Sequence, residues 1–240
     1  MTESLYMDKA KYYDLLYKNK DYKGEVEFLL GKISSHDANP TCRALVVGCG
    51  TGNHSKFLEE ENFEVTGVDP YKGMLEEARK KSNADFKKDS LPRLDSIEGK
   101  FDIIFLPYTI VNHIDWPELE KSINRLKELL SEKGLLIFDN MRLPDENTIG
   151  PWLETKSNDD IELSRHTQIV KSGENKVDWC SEITVSNGDF FIDRHDIYTH
   201  KDVEIAELLQ NKGFKFEVNT AGYETDSQKD DGTVFVAQKN

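Results

Sequence analysis

The residues with the plainest chemical use in this sequence are a set of alternating glycines and two acids downstream of them. In Val47-Gly48-Cys49-Gly50-Thr51-Gly52 the glycines fall at every second position, behind an apolar run and ahead of a helical stretch. Glycine lets the backbone turn tightly and approach a ligand closely, and a helix that follows presents unpaired N–H groups. Such a turn suits a dinucleotide, a nucleoside or simply a tight connection. Asp69 lies 19 residues beyond Gly50, at the end of the next strand-like run. An acid at that place in nucleotide-binding α/β folds accepts hydrogen bonds from both ribose hydroxyls, and a carboxylate suits because it is acceptor-only. It could equally cap a helix opening at Pro70. Asp89-Ser90 follows a third short strand, where an acid could accept a hydrogen bond from an adenine amino group.

The elements that must position these groups alternate. The periodicity predicts helix over the first thirty residues, interrupted at Lys18 to Lys23. Strands follow at Arg43–Gly48, Phe63–Asp69, Ala84–Lys88, Phe101–Leu106 and Leu135–Asp139. Helices are expected at His54–Glu61, from Pro70 in the first turn through Lys81, and at Pro117–Ser131 with a stop at Lys133-Gly134. Strands alternating with helices imply a doubly wound, mostly parallel α/β sheet. From about Gly150 the rhythm changes to strands at Ile161–Val170, Lys176–Ser186 and Phe190–Thr199, with Asn187-Gly188 as a hairpin turn. A helix at Lys201–Asn211, stopped by Gly213, and strands at Phe214–Asn219 and Gly232–Gln238 close the pattern, with a polar loop from Thr225 to Asp231. The expected division is an N-terminal helical lid over 1–35, a ligand-binding domain over 36–149 and 200–240, and an antiparallel β insertion over 150–199.

Composition narrows the function classes. A net charge of −14 argues against a nucleic-acid partner, because Lys80-Lys81 and Lys87-Lys88 are too small to form a cationic face. No apolar run is long enough to span a membrane, and the start has no signal-peptide pattern. Cys42, Cys49 and Cys180 have no metal-ligand spacing, so no metal is expected, and an odd thiol count fits a reducing cytoplasm.

The segments A-L-V-V-G-C-G-T-G-N-H, V-T-G-V-D-P-Y-K-G-M-L-E-E-A-R, F-K-K-D-S and F-D-I-I-F-L-P-Y resemble the successive motifs of class I S-adenosylmethionine-dependent methyltransferases, over roughly residues 40 to 140. The resemblance implies a Rossmann-like seven-stranded sheet whose last strand runs antiparallel beside the fifth. It implies S-adenosyl-L-methionine as cofactor, with contacts at Gly48, Gly50 and Gly52, ribose binding by Asp69, adenine contacts at Met74 and Asp89, and methionine-end contacts at Leu106. Cys49, Asn53, His54, Pro70 and Ser90 adjoin these positions and complete the candidate cofactor set. One departure stands out: where the family often carries an acid two residues before the first glycine, this sequence has Val46.

The flanks are similar to N-methyltransferases that dimethylate amino groups on nucleotide-linked deoxysugars, through Y-Y-D-L-L-Y-K-N-K-D-Y, P-Y-T-I-V-N-H-I and the β insertion. That similarity implies that Tyr13, Tyr17 and Tyr22 border the cofactor and that His113 meets an acceptor amine, with Tyr108 and Asn112 beside it.

Histidine has the intrinsic pKa for taking a proton from an amine, although His113 could simply pack beside Trp116. Tyr13 and Tyr17 share a helical face, as lid residues or as a core stripe. In the insertion, Trp152, Arg165, His166, Trp179, Arg194 and His195 suit either an anionic substrate or, the preferred reading, packing across a homodimer interface. The expected activity is methylation of a small molecule, an amine above others. Other readings are an NAD-dependent oxidoreductase and a non-catalytic protein that binds the same cofactor.

Overall fold

Five strands expected from the sequence become parallel neighbours in one sheet: β1 (Arg43–Val47), β2 (Glu64–Asp69), β3 (Asp85–Lys88), β4 (Phe101–Leu106) and β5 (Leu130–Asn140). The computed structural model that shows this describes residues 5–36, 43–141, 151–223 and 232–239. Cys42, the expected loop from Thr225 to Asp231 and the boundary near Gly150 lie outside the described residues.

The sheet is completed at one edge by β10 (Phe214–Asn219) and β11 (Thr233–Lys239), giving the order β10-β11-β5-β4-β1-β2-β3. β11 runs antiparallel to β5, with Phe235 opposite Phe138. Central strands are apolar on both sides because helices cover both faces. Leu45 and Val47 point to a core shared with α5 (Trp116–Leu129) and α6 (Asp202–Asn211). Ala44 and Val46 point to the opposite core, under α2 (Tyr22–Ser35), α3 (Asn53–Glu60) and α4 (Lys72–Ala78). Among the described residues no helix is long and apolar enough to cross a membrane.

Three boundaries differ from expectation. α4 starts at Lys72 with Tyr71 as its cap, so Pro70 lies outside the first turn. The cause is Asp69, whose Oδ1 accepts from the Tyr71 N–H at 2.9 Å and holds both residues in a turn of their own. α5 ends at Leu129 because Leu130 is already extended and paired with Phe101. Lys133, at φ 60°, belongs to an irregular stretch of β5, and the β4–β5 register shifts between Phe101 and Ile103. The first thirty residues form a 3₁₀ turn at Ala10–Tyr12, a short α1 (Tyr13–Leu16) and α2, rather than one interrupted helix.

The segment after β5 forms a separate antiparallel sheet of β6 (Trp152–Ser157), β7 (Glu162–Gly173), β8 (Lys176–Val185) and β9 (Phe190–Tyr198), in that order. β6 was not expected, since its sequence WLETKS carries little apolar signal. Gly188, at φ 96°, turns β8 into β9. The inner face of this sheet receives the N-terminal segment: Leu5, Tyr12, Leu15 and Leu16 pack with Leu163, Ile183, Val185 and Phe191.

Candidate active site

β1 lies between β2 and β4, so connections leave it in opposite directions and a crevice opens at the strand ends. A cavity of about 590 Å³ occupies that place, walled by the core sheet, the inserted sheet and the N-terminal segment.

At one end of it stand Gly48, Gly50, Asp69, Pro70, Met74, Asp89 and Ser90. Gly50 holds φ 53°, and a Cβ built on it would meet nothing within 4 Å, so the loop leaves an open cradle there. Asp69 is buried and accepts from the Gly50 N–H at 3.0 Å, tying the turn to β2. Burial pushes its carboxyl up to about 6, opposed by the N–H groups of Tyr71 and Gly50. The carboxylate keeps lone pairs for a ligand's hydroxyls. Asp89 is half-buried: burial raises its carboxyl, but the Ser96 hydroxyl and the N–H groups of Ser96 and Ser90 hold it below the usual range. An open glycine cradle, a ribose-type acid and an outer acid together fit a nucleoside.

At the other end are Tyr108, Thr109, His113 and Asp139 from the core domain, and Arg165, Trp179, Asp193, Arg194 and His195 from the inserted sheet. Asp139 is the last residue but one of β5; burial pushes its carboxyl up to about 7 against the Lys20 charge and the bonds from Thr109 and the Tyr223 hydroxyl. His113 sits in a 3₁₀ turn, Ile110–His113, and burial, assisted by His195, pushes it down to about 4. It is a neutral imidazole at physiological pH. Arg165 is gripped by Glu154 and donates to the Tyr17 hydroxyl at 2.9 Å. The residues expected at a dimer interface therefore divide. Arg165, Trp179, Arg194 and His195 line the chain's own cavity, Trp152 packs on Trp179, and His166 stands beside Glu182.

The roof comes from the N-terminal segment. Tyr6, Tyr13 and Tyr17 line the cavity, with ring centroids 6.0 Å apart for the first pair and 4.6 Å for the second. Asp14 ties the segment to the glycine loop by accepting from Thr51 Oγ1 at 2.6 Å and Asn53 Nδ2 at 3.0 Å, and it pairs with Lys81. Tyr12 bonds Asp189 and Asn187, latching the segment to the β8–β9 turn.

Several expected residues stand behind the site. Cys49 packs in the core, where burial pushes its thiol up, and Leu106 is core as well. Asn53 is committed to Asp14 and Lys81. Asn112 is buried, its amide bonded to Asn140 and the Tyr198 carbonyl and its oxygen to the Met141 N–H, so it ties β5 to β9. His54 points away from the cavity: Nε2 lies 2.6 Å from Glu25, the Tyr22 ring lies edge-on to it, and burial keeps the imidazole neutral. Burial also works against Glu25, but His54 and Lys20 hold it ionised. Tyr6, Tyr71, Asp139 and Asp193 went unrecognised. Tyr71 follows Asp69-Pro70 and Asp139 ends an obvious strand, which are usable signals; Tyr6 and Asp193 give none.

Comparison with known proteins adds the following. Residues 44–134 match the family model of a methyltransferase domain. The chain is 32% identical over 140 residues to a putative methyltransferase of Geobacillus sp. (strain WCH70), a match spanning 56% of each chain. It is 28% identical over 251 residues to the putative methyltransferase YqeM of Bacillus subtilis (strain 168), covering 98% of each. In fold it is similar to S-adenosylmethionine-bound CalS10, an amino pentose methyltransferase from Micromonospora echinaspora, with a TM-score of 0.77 and 20% identity over the whole of both chains.

Proposed function

We propose, from the match of residues 44–134 to a methyltransferase-domain family model, that this chain is an S-adenosylmethionine-dependent methyltransferase that methylates the amino group of a small molecule by in-line displacement. The observation that carries the reading is the continuity of the cavity: Gly50 and Asp69 line the same space as Tyr108 and His113. A donor and an acceptor held in one water-poor slot need little more than alignment to react.

In this reading Asp69 accepts from both ribose hydroxyls and Asp89 from the adenine amino group. The glycine turn brings its backbone against the nucleoside, and Met74 packs on the base. Tyr13 and Tyr17 cover the amino-acid end. The cofactor supplies an electrophilic methyl group on a sulfonium. The acceptor lies between Tyr108, His113 and the inner face of the inserted sheet, where Arg165 offers a fixed cation to a polar substrate. A structural neighbour described as an amino pentose methyltransferase supports an amine, as does the neutral His113, which sets no positive charge against an incoming ammonium and can accept a hydrogen bond from it.

The test is a panel of free amino sugars, amino sugars carried on a nucleoside diphosphate, carboxylic acids and hydroxylated acceptors. Each is incubated with S-adenosylmethionine and read by mass spectrometry for methylated product and S-adenosylhomocysteine. Transfer to an amine is the expected result; transfer only to oxygen acceptors overturns it. In thermal shift, S-adenosylhomocysteine should stabilise the protein and NAD should not. The outer face of the inserted sheet exposes Leu153, Val170 and Phe190, which supports a homodimer through that face; a monomer in light scattering would remove it.

A further inference from the structure

β9 places Asp193 and His195 two positions apart, hence on one face of the strand, and that face looks into the cavity. His195 Nε2 lies 2.6 Å from Asp193 Oδ2, and both side chains are shielded from water. Such a bond places the imidazole proton on Nε2 and leaves Nδ1 as the basic nitrogen. The ring is fixed on two further sides. Tyr6 stacks on it at 4.6 Å with an interplanar angle of 23°, and His113 meets it edge-on at 5.7 Å. A histidine whose second nitrogen is held by a buried carboxylate, with its ring immobilised beside a reactive space, has the arrangement of a base with its orienting acid.

We infer that His195, oriented by Asp193, takes the proton that an ammonium acceptor must lose before methyl transfer, and that His113 positions the acceptor without taking the proton. The inference rests on the amine reading above. The acceptor arrives as R–NH₃⁺ and His195 Nδ1 removes one proton, giving R–NH₂ and an imidazolium stabilised by the Asp193 carboxylate. The nitrogen lone pair then forms the N–C bond as the C–S bond breaks, yielding R–NH₂⁺–CH₃ and a neutral thioether. The imidazolium releases its proton to water, so one proton leaves per methyl transferred.

The other groups facing this pair fit the assignment. Tyr6 comes from the N-terminal segment, Tyr71 from the cap of α4, and His113 from the turn after β4. The tyrosines are neutral, burial raising both. His113 is pushed down to about 4 by burial and then by His195, so it stays unprotonated where His195 would act.

The test uses the full-length protein and a nucleoside-diphosphate amino sugar, with pH profiles of kcat for wild type, His195→Asn, Asp193→Asn and His113→Asn. His195→Asn should lose about 100-fold or more in kcat near pH 7, the ordinary scale of general-base catalysis. The deficit should shrink to less than about tenfold above about pH 10, where the amine sheds its own proton. Asp193→Asn should show the same pH rescue with a smaller deficit, and His113→Asn a pH-independent loss. Affinity for S-adenosylhomocysteine, by calorimetry, should stay within about threefold in His195→Asn, since Coulombic and hydrogen-bond contacts at the Asp69 end are untouched. A deficit that persists at high pH, or unchanged kcat at neutral pH, overturns the inference. If wild type methylates only oxygen acceptors, the amine reading falls and the proton-transfer step falls with it. The dyad is then still judged by ¹⁵N shifts of the His195 ring, where a proton on Nδ1 in place of Nε2 would refute the assigned orientation.

Discussion

Asp69 does two jobs with one carboxylate, and its titration exposes the conflict between them. Its Oδ2 binds the Gly50 N–H and its Oδ1 the Tyr71 N–H, which shapes the cradle, yet burial pushes its carboxyl up to about 6. Above that value the group is ionised and offers its full acceptor strength to ribose hydroxyls; below it a proton occupies one oxygen. S-adenosylhomocysteine affinity should therefore hold steady above about pH 7 and fall progressively below about pH 6 in calorimetry. The stability term has the opposite sign. A carboxyl whose folded pKa is raised favours the folded state at low pH, and that contribution is lost as pH rises from the unfolded value toward about 6. Asp69→Ala should cost about 1–3 kcal/mol of cofactor binding, the scale for hydrogen bonds to a charged group, and should abolish the pH dependence. A variant that binds as tightly as wild type would remove the ribose role. Asp69 was legible in the sequence because a strand end after a glycine turn limits what an acid there can do. His54 was not: a first-turn position does not reveal which way the ring faces, and here it faces Glu25.

At the scale of elements, the N-terminal segment crosses α4 so closely that Gly73 has no room for a side chain. A Cβ there would lie 1.9 Å from the Met7 carbonyl oxygen, backbone against backbone. Alanine normally favours a helix over glycine by about 1 kcal/mol, so Gly73→Ala should leave α4 intact while lifting the segment off it. The expected result is faster proteolysis before Tyr22 and at least about tenfold weaker S-adenosylhomocysteine binding, as 1.4 kcal/mol or more of roof contacts is lost. Unchanged binding and cleavage would mean the crossing carries no weight. α2 is fastened to α3 differently, through the buried Glu25, His54 and Lys20. Glu25→Ala strands a cation and should cost about 3 kcal/mol in denaturant unfolding, the scale for breaking a buried pair; a loss below about 1 kcal/mol would count against that fastening. Strands buried on both faces announced themselves as apolar runs, so the central sheet could be read directly. β6 could not be, because its inward positions are Trp152, Glu154 and Lys156, and Glu154 earns burial only through Arg165 on the next strand. The start of α4 is not legible because the bond from the Tyr71 N–H to Asp69, which holds the preceding turn, leaves no mark on hydrophobic periodicity.

For the molecule as a whole, the core sheet supplies one wall of the cavity, and two pieces far apart in sequence supply the other. Removing residues 1–22 should uncover Leu163, Ile183, Val185 and Phe191 on the inserted sheet. Truncated protein should bind a hydrophobic dye and lose cofactor retention while keeping the secondary structure of its central sheet. Normal retention would mean that the N-terminal segment is no roof at all. This dependence is a cost of building the second wall from a thin antiparallel sheet, which has no helices of its own to cover its apolar side.

One oxygen pair carries that union into the chemistry. Asp193 gives Oδ2 to His195 and Oδ1 to the Leu5 N–H, 3.0 Å away on the N-terminal segment. The carboxylate that aims the imidazole thus also fastens the N-terminal segment to β9. A substitution at Asp193 therefore touches two things at once, the aim of the ring and the seat of the chain's first described residue.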